Sequence, residues 1–195
     1  MNKYKIIAIC GKSAAGKDTF LQEVIKQNPD VHEIISCTTR PPREGEVNGK
    51  NYFFLTLTEF VNKARNGEML EATEFRDWLY GTSLDGVSQE KINVGVFNPG
   101  GICNLMKNED VDLFVVQVHA SDKCRLIRSL NRETNPDVDE IVRRYMADKK
   151  DFEDFSGIYE PDYFLDSENI SSLSYPWAAR DVVSLASSHW AEEAN

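Results

Sequence analysis

Residues 3–18 read K-Y-K-I-I-A-I-C-G-K-S-A-A-G-K-D. The first eight are a nearly continuous apolar run of strand length, the pattern of a strand buried on both faces of a parallel sheet. The run stops at Gly11. From Asp18 the apolar positions Phe20, Leu21, Val24 and Ile25 share one helical face until Asn28-Pro29 breaks it. Between strand and helix, Gly11-Lys12-Ser13-Ala14-Ala15-Gly16-Lys17 matches G-x-x-x-x-G-K in the context that gives this motif its meaning. Its glycines let backbone N–H groups curl around phosphate oxygens. The helix N-terminus adds about half a positive charge, and Lys17 a full one. Asp18 stands where a Ser or Thr usually gives its hydroxyl to Mg²⁺. A carboxylate there holds the metal directly or through water, or serves only the helix dipole, and Thr19 is a spare hydroxyl.

Outward from this unit the chain continues to alternate. Residues 31–37 (V-H-E-I-I-S-C) predict a second strand. Residues 40–50, with two prolines, two glycines and mixed charges, predict a long loop of the kind that is usually functional. Residues 52–57 predict a strand, 58–66 a short helix capped by Thr58, and 69–80 a strand-rich excursion. Strands are then expected at 92–97, 112–119 and 163–165, and helices at 100–107, 121–130, 138–152 and 177–194, with a polar break at 132–137. Strand and helix in alternation imply an α/β fold with a parallel sheet flanked by helices.

The 195 residues carry 22 Lys plus Arg against 32 Asp plus Glu, a net charge of −10, and 41% are hydrophobic. One globular domain is expected, without a signal peptide or membrane span, and cytoplasmic. The acidic balance argues against a nucleic-acid binder, so an anionic ligand must meet a local basic pocket. Cys10, Cys37, Cys103 and Cys124 form no C-x-x-C, and His32, His119 and His189 are scattered, which predicts neither disulfides nor a zinc site.

The run Ser36-Cys37-Thr38-Thr39-Arg40-Pro41-Pro42-Arg43-Glu44-Gly45-Glu46-Val47-Asn48-Gly49-Lys50-Asn51-Tyr52-Phe53-Phe54 closely resembles the monophosphate-binding segment of guanylate kinases. The resemblance continues through Glu68-Met69-Leu70-Glu71 and Tyr80-Gly81-Thr82-Ser83, and more loosely through the second half. It implies a P-loop kinase passing the γ-phosphoryl of ATP, with Mg²⁺, to GMP or dGMP. By position, Arg40, Arg43, Tyr52 and Tyr80 would hold the acceptor's phosphate, while Ser36, Glu71 and Thr82 read its base. The residue chemistry agrees. Guanidinium forks and phenols suit a phosphate dianion, and one carboxylate accepts both the N1–H and the N2 amino donors of guanine, a pair adenine lacks.

Arg125, Arg128, Arg132, Arg143 and Arg144 cluster around the polar break, which suggests an anion clamp on a closing segment. The resemblance matches Arg128, Arg132 and Arg144 to the arginines of the family's lid, with Arg143 a substitute for Arg144 if the alignment slips by one. Together with Lys17 these form the expected catalytic set. The implied organisation is a core of 1–35, 83–127 and 152–195, an acceptor segment of 36–82 and a lid of about 128–151, in a monomer or homodimer. Two departures stand out. Where the family shows Asp-x-Asp the chain reads Gly95-Val96-Phe97-Asn98, and the adenine-side Asn is Asp166. The altered strand end leaves open a kinase with different or broader acceptor choice, including deoxynucleoside monophosphates other than dGMP. The non-enzyme alternative is a guanylate-kinase-like binding module without catalysis, against which the triphosphate cradle of Gly11, Gly16 and Lys17 argues.

Overall fold

The computed structural model describes residues 3–193 apart from Glu44, Arg76 and Glu133, with all their side chains except those of Asp154, Ser156 and Glu193. Strand β1, Tyr4–Cys10, is buried without alternation from Ile6 to Cys10, so both its faces are covered as its apolar run predicts. Helix α1, Lys17–Gln27, buries Phe20, Leu21 and Val24. The Asn28 side-chain amide ends it by donating to the carbonyls of Val24 at 2.9 Å and Ala179 at 3.0 Å.

The strand expected at 31–37 is two pieces in two sheets. β2, His32–Glu33, pairs in parallel with β7, Asn93–Val96, whereas β3, Cys37–Thr38, joins a separate sheet. A strand-forming stretch does not specify which neighbour it pairs with. That second sheet has the order β4-β3-β6-β5, with β4 at Phe53–Phe54, β5 at Met69–Phe75 and β6 at Trp78–Ser83. Gly81 of β6 is required by close approach, because a Cβ there would lie 2.7 Å from the Glu71 carbonyl oxygen and 2.5 Å from Met69 Cε. The strand expected at 52–57 is short because Thr56 starts a helix.

That helix, α2 at Leu57–Arg65, is capped by Thr56 and not by Thr58 as expected. The Glu59 N–H donates to Thr56 Oγ1 and the Thr56 N–H donates to the Glu59 carboxylate at 2.7 Å, a reciprocal box that Thr58 lacks because its third following residue is Val61. Helix α3, Pro99–Leu105, is started by Asn98, whose side chain accepts the Gly101 N–H at 2.8 Å. Then follow β8 (Val111–His119), α4 (Asp122–Leu130, capped by Ser121), α5 (Val138–Ser156), β9 (Tyr163–Asp166) and α6 (Tyr175–Glu193).

The main sheet has the order β2-β7-β1-β8-β9, and the pairs β2/β7 and β8/β9 are parallel. The architecture is the expected α/β one, a parallel central sheet flanked by helices. The chain divides into two compact units, Met1–Ala8 with Asp30–Leu113, and Ile9–Pro29 with Phe114–Asn195. The first contains all of residues 36–82 and the second contains both the phosphate loop and all of 128–151. The first is built around Ile6, Ile7, Val94, Phe60 and Ile102, and the second around Ile9, Phe20, Val115, Val116 and Val118, all fully buried or nearly so. The four cysteines are free, no cluster of three metal-ligating side chains occurs among the described residues, and no described helix is long and apolar enough to cross a membrane.

Candidate functional site

In the second unit the loop after β1 takes the shape its glycines allow. Gly16 has φ +100°, and a Cβ on Gly11 would overlap the Val118 carbonyl oxygen, so neither position takes a larger residue easily. Ala14 holds φ 59°, an uncommon value for a residue with a Cβ. Lys17 Nζ donates to the Lys12 carbonyl at 3.1 Å, which curls the side chain back over the loop. Burial lowers the Lys17 pKa, while the charges of Asp18 and Asp148 oppose that shift. Beneath it, burial pushes the Cys10 thiol up to about 12, against the pull of Lys17. Lys12, Ser13 and Ala14 are half-buried, Ala15 is buried, and Asp18 and Thr19 are exposed on the first turn of α1.

Arg128 braces the loop. Its Nη1 donates to Ser167 Oγ at 3.0 Å and to the carbonyls of Ala15 at 3.3 Å and Ala14 at 3.4 Å, and its Nη2 donates to the Ser167 carbonyl at 3.0 Å. Ser167 Oγ in turn donates to the Ala15 carbonyl at 2.6 Å. A cavity of about 730 Å³ opens here, lined by Lys17, Asp18, Thr19, Arg128, Arg132 and Tyr175 among others. A second, of about 230 Å³, is lined by Ser13, Arg125, Arg132, Arg144 and Asp148 among others. Arg144 lines that cavity and Arg143 does not, which distinguishes the two positions. Both bind Glu140, Arg143 through Nε at 2.6 Å and Nη2 at 2.8 Å, Arg144 through Nε at 2.6 Å. Hydrogen bonds from Arg143 first, and then Arg144, hold the Glu140 carboxyl at about 2. Arg132 is exposed and borders both cavities.

In the first unit, Arg40 on the loop after β3 is only 8% exposed. Its guanidinium makes a bidentate pair with Glu46, both contacts at 2.9 Å, and lies 5.5 Å from the Tyr52 ring centre. Tyr52 and Tyr80 meet edge to face at 6.0 Å. Arg43 is exposed, its backbone N–H donating to Glu46 at 2.6 Å. Arg40, Tyr52 and Tyr80 are thus brought together, with Arg43 on the same loop and tied to the same glutamate. Ser36 is half-buried, and its carbonyl accepts the Phe53 N–H at 2.9 Å.

Glu71 is 6% exposed on β5. The Thr82 hydroxyl donates to its Oε1 at 3.0 Å, and Oε2 has no hydrogen-bond partner among the described residues. Burial raises its carboxyl to about 7, against the hydrogen bonds from Thr82. The altered strand end has a packing explanation. A Cβ on Gly95 would come within 3.0 Å of Ile34 Cβ, Phe97 is 6% exposed, and Asn98 caps α3. Asp166 is spent on its own turn, accepting N–H groups of Glu168 and Asn169.

Sequence reasoning missed Glu46, Asp148 and Ser167. Glu46 lies within the segment that carries the resemblance and forms the charge partner of Arg40. Asp148 and Ser167 lie 135 and 152 residues from their loop partners, and no local pattern announces such contacts.

The family model for guanylate kinase matches residues 3–171. The chain is similar to the guanylate kinase of Thermotoga maritima, 35% identical over 146 residues, covering 72% of this chain and 70% of that one. It is also similar to that of Prochlorococcus marinus, 46% identical over 90 residues, 46% of this chain and 48% of the relative. The matched stretch thus spans about half the length of several curated relatives. Among solved structures, the guanylate kinase of Anaplasma phagocytophilum superposes with a TM-score of 0.64 over 97% of this chain and 87% of that one, at 18% identity, a likeness of fold. Phosphate loop, fold and family match agree, and the chain belongs to the guanylate kinase family.

Proposed function

We propose that the protein transfers the γ-phosphoryl of ATP to GMP or dGMP, giving ADP and GDP or dGDP, in the cytoplasm. The observation that carries the acceptor choice is Glu71, a buried carboxylate with one oxygen held by Thr82 and the other without a described partner. Guanine offers two adjacent donors to such a group. Adenine offers none there, and leaving the carboxylate unpaired against it is costly, so polar rejection is strong. Ser36 and Thr82 complete the base edge, and Arg40, Arg43, Tyr52 and Tyr80 hold the monophosphate, with Glu46 pairing with the Arg40 guanidinium until it arrives.

The donor triphosphate sits on Gly11 to Lys17, with Asp18 and Thr19 following on the first turn of α1. The acceptor's phosphate oxygen is already a nucleophile, so catalysis rests on positioning and charge neutralisation, with no covalent intermediate. Lys17 neutralises charge on the transferring group. Arg128 keeps the loop in shape, and Arg132 and Arg144, at the edge of the smaller cavity, close over the phosphates as residues 128–151 act as a lid. Mg²⁺ fits this donor set only in part. No described cluster would cage it, but Asp18 is an exposed carboxylate beside Lys17, and Mg²⁺ commonly takes one carboxylate with phosphates and water. When bound it would neutralise phosphate charge alongside Lys17.

The test is ADP release with ATP against GMP, dGMP, AMP, UMP, CMP and dTMP. Turnover confined to GMP and dGMP is expected; turnover with every acceptor, or binding of GMP without turnover, contradicts the reading. Phe97, buried where a carboxylate is usual in the family, leans the site toward the deoxynucleotide. A Phe97→Asp variant with an unchanged GMP to dGMP ratio of kcat/KM counts against that part.

A further inference from the structure

Helix α5 carries a buried acid that the proposed reaction does not use. Asp148 is 4% exposed, and its Oδ2 accepts the backbone N–H of Ser13 at 2.7 Å. That N–H belongs to the phosphate loop, so a charged oxygen of the protein is already bonded to an amide suited to anions. Its charge also reaches Lys17. The same Oδ2 lies 3.8 Å from Nη1 of Arg125, too far for a hydrogen bond. Arg125 is 3% exposed, stacked at 5.4 Å from the Tyr145 ring centre, and its Nε and Nη1 have no hydrogen-bond partner among the described residues. Buried guanidinium donors left unbonded are unfavourable, and a carboxylate 3.8 Å away is positioned to relieve them.

We propose that Asp148 is an internal counter-anion of the phosphate loop, which holds α5 on Ser13 and competes with the donor's phosphates for that loop. The inference rests on Gly11 to Lys17 being the donor site. An arriving triphosphate repels the carboxylate and takes the loop's amides. Asp148 then moves the short distance to Arg125 and satisfies its unbonded N–H groups. The two resting places of one side chain make a two-state element, and the loop's occupancy biases it toward Arg125. ATP binding thereby releases α5, whose N-terminal part belongs to the proposed lid, from the loop. A static brace predicts the opposite energetics, because a brace that shapes the loop for nucleotide strengthens binding.

Calorimetric titration of ATP, without acceptor, separates the two in wild type, Asp148→Asn and the double variant Arg125→Leu/Asp148→Ala. The double variant removes the buried pair together and leaves no charge stranded. Both variants are expected to bind ATP about fivefold or more tightly than wild type, a typical coupling between two states of one site. Either folded variant binding no tighter than wild type overturns the proposal. That includes tightening in Asp148→Asn alone, which a freed Arg125 charge would explain. Failure of both variants to fold marks the pair as a brace and also overturns it. A folded wild type that does not bind ATP overturns the donor-site reading itself, whereas wild-type binding unchanged in the variants overturns only the counter-anion.

Discussion

Glu71 is under opposed demands. Burial raises its folded-state carboxyl to about 7 from an ordinary 4.5, so the folded protein binds that proton more tightly than the unfolded chain. The resulting stabilisation is complete below 4.5 and is lost as pH rises through 7. Glu71→Gln keeps the shape without the ionisation. It is expected to exceed wild type in stability by up to about 3 kcal/mol at pH 8 and to match it near pH 4, measured by urea unfolding at the two pH values. An equal difference at both would show that ionisation is not the cause. The proposed guanine contact needs the ionised form, so KM for GMP should rise as pH falls below 7 while KM for ATP follows a different course. The sequence offered Glu71 as a base reader. It gave no sign that one of its oxygens is held and the other is not, since that depends on β5 and β6 placing Thr82 beside it.

At the level of elements, local rules were legible where both partners lie within one turn, and failed where a choice between two caps had to be made. Thr56 and Thr58 both precede Phe60 and Val61 of α2, and the reciprocal contact with Glu59 separates them. Thr56→Ala should cost about 1 kcal/mol of stability and Thr58→Ala nearly nothing, with activity unaffected in both, as thermal unfolding and ADP release would record. A larger loss at Thr58 would contradict the assignment. The phosphate loop shows the same division. Its glycines and lysine are readable from the motif, but its brace is Arg128, 114 residues away from Ala14. Arg128→Ala should loosen the loop and raise KM for ATP about tenfold or more, while KM for GMP, whose proposed site lies in the other unit, stays near wild type. Equal weakening of both ligands would indicate general unfolding instead.

For the whole molecule, alternation of strands and helices foretold the parallel sheet, and the apolar runs foretold which strands are buried. Strand order was not foretold, and the single strand expected at 31–37 feeds β2 of one sheet and β3 of the other. The division into two compact units was equally invisible, because it cuts through β1 and β8, each of which reads as one uninterrupted strand. It nevertheless sorts the candidate residues cleanly. Those expected to hold the acceptor fall in one unit, and the phosphate loop and the arginines from 125 to 144 fall in the other. Steady-state kinetics of Lys17→Ala and Glu71→Gln, measured side by side, separate the roles proposed for the two units. Lys17→Ala should lower kcat about a hundredfold or more with KM for GMP little changed, and Glu71→Gln should cut kcat/KM for GMP, and its ratio over AMP, about tenfold or more while KM for ATP holds. A folded Lys17→Ala with near-normal kcat, or a Glu71→Gln that keeps the full preference for GMP, would contradict the account.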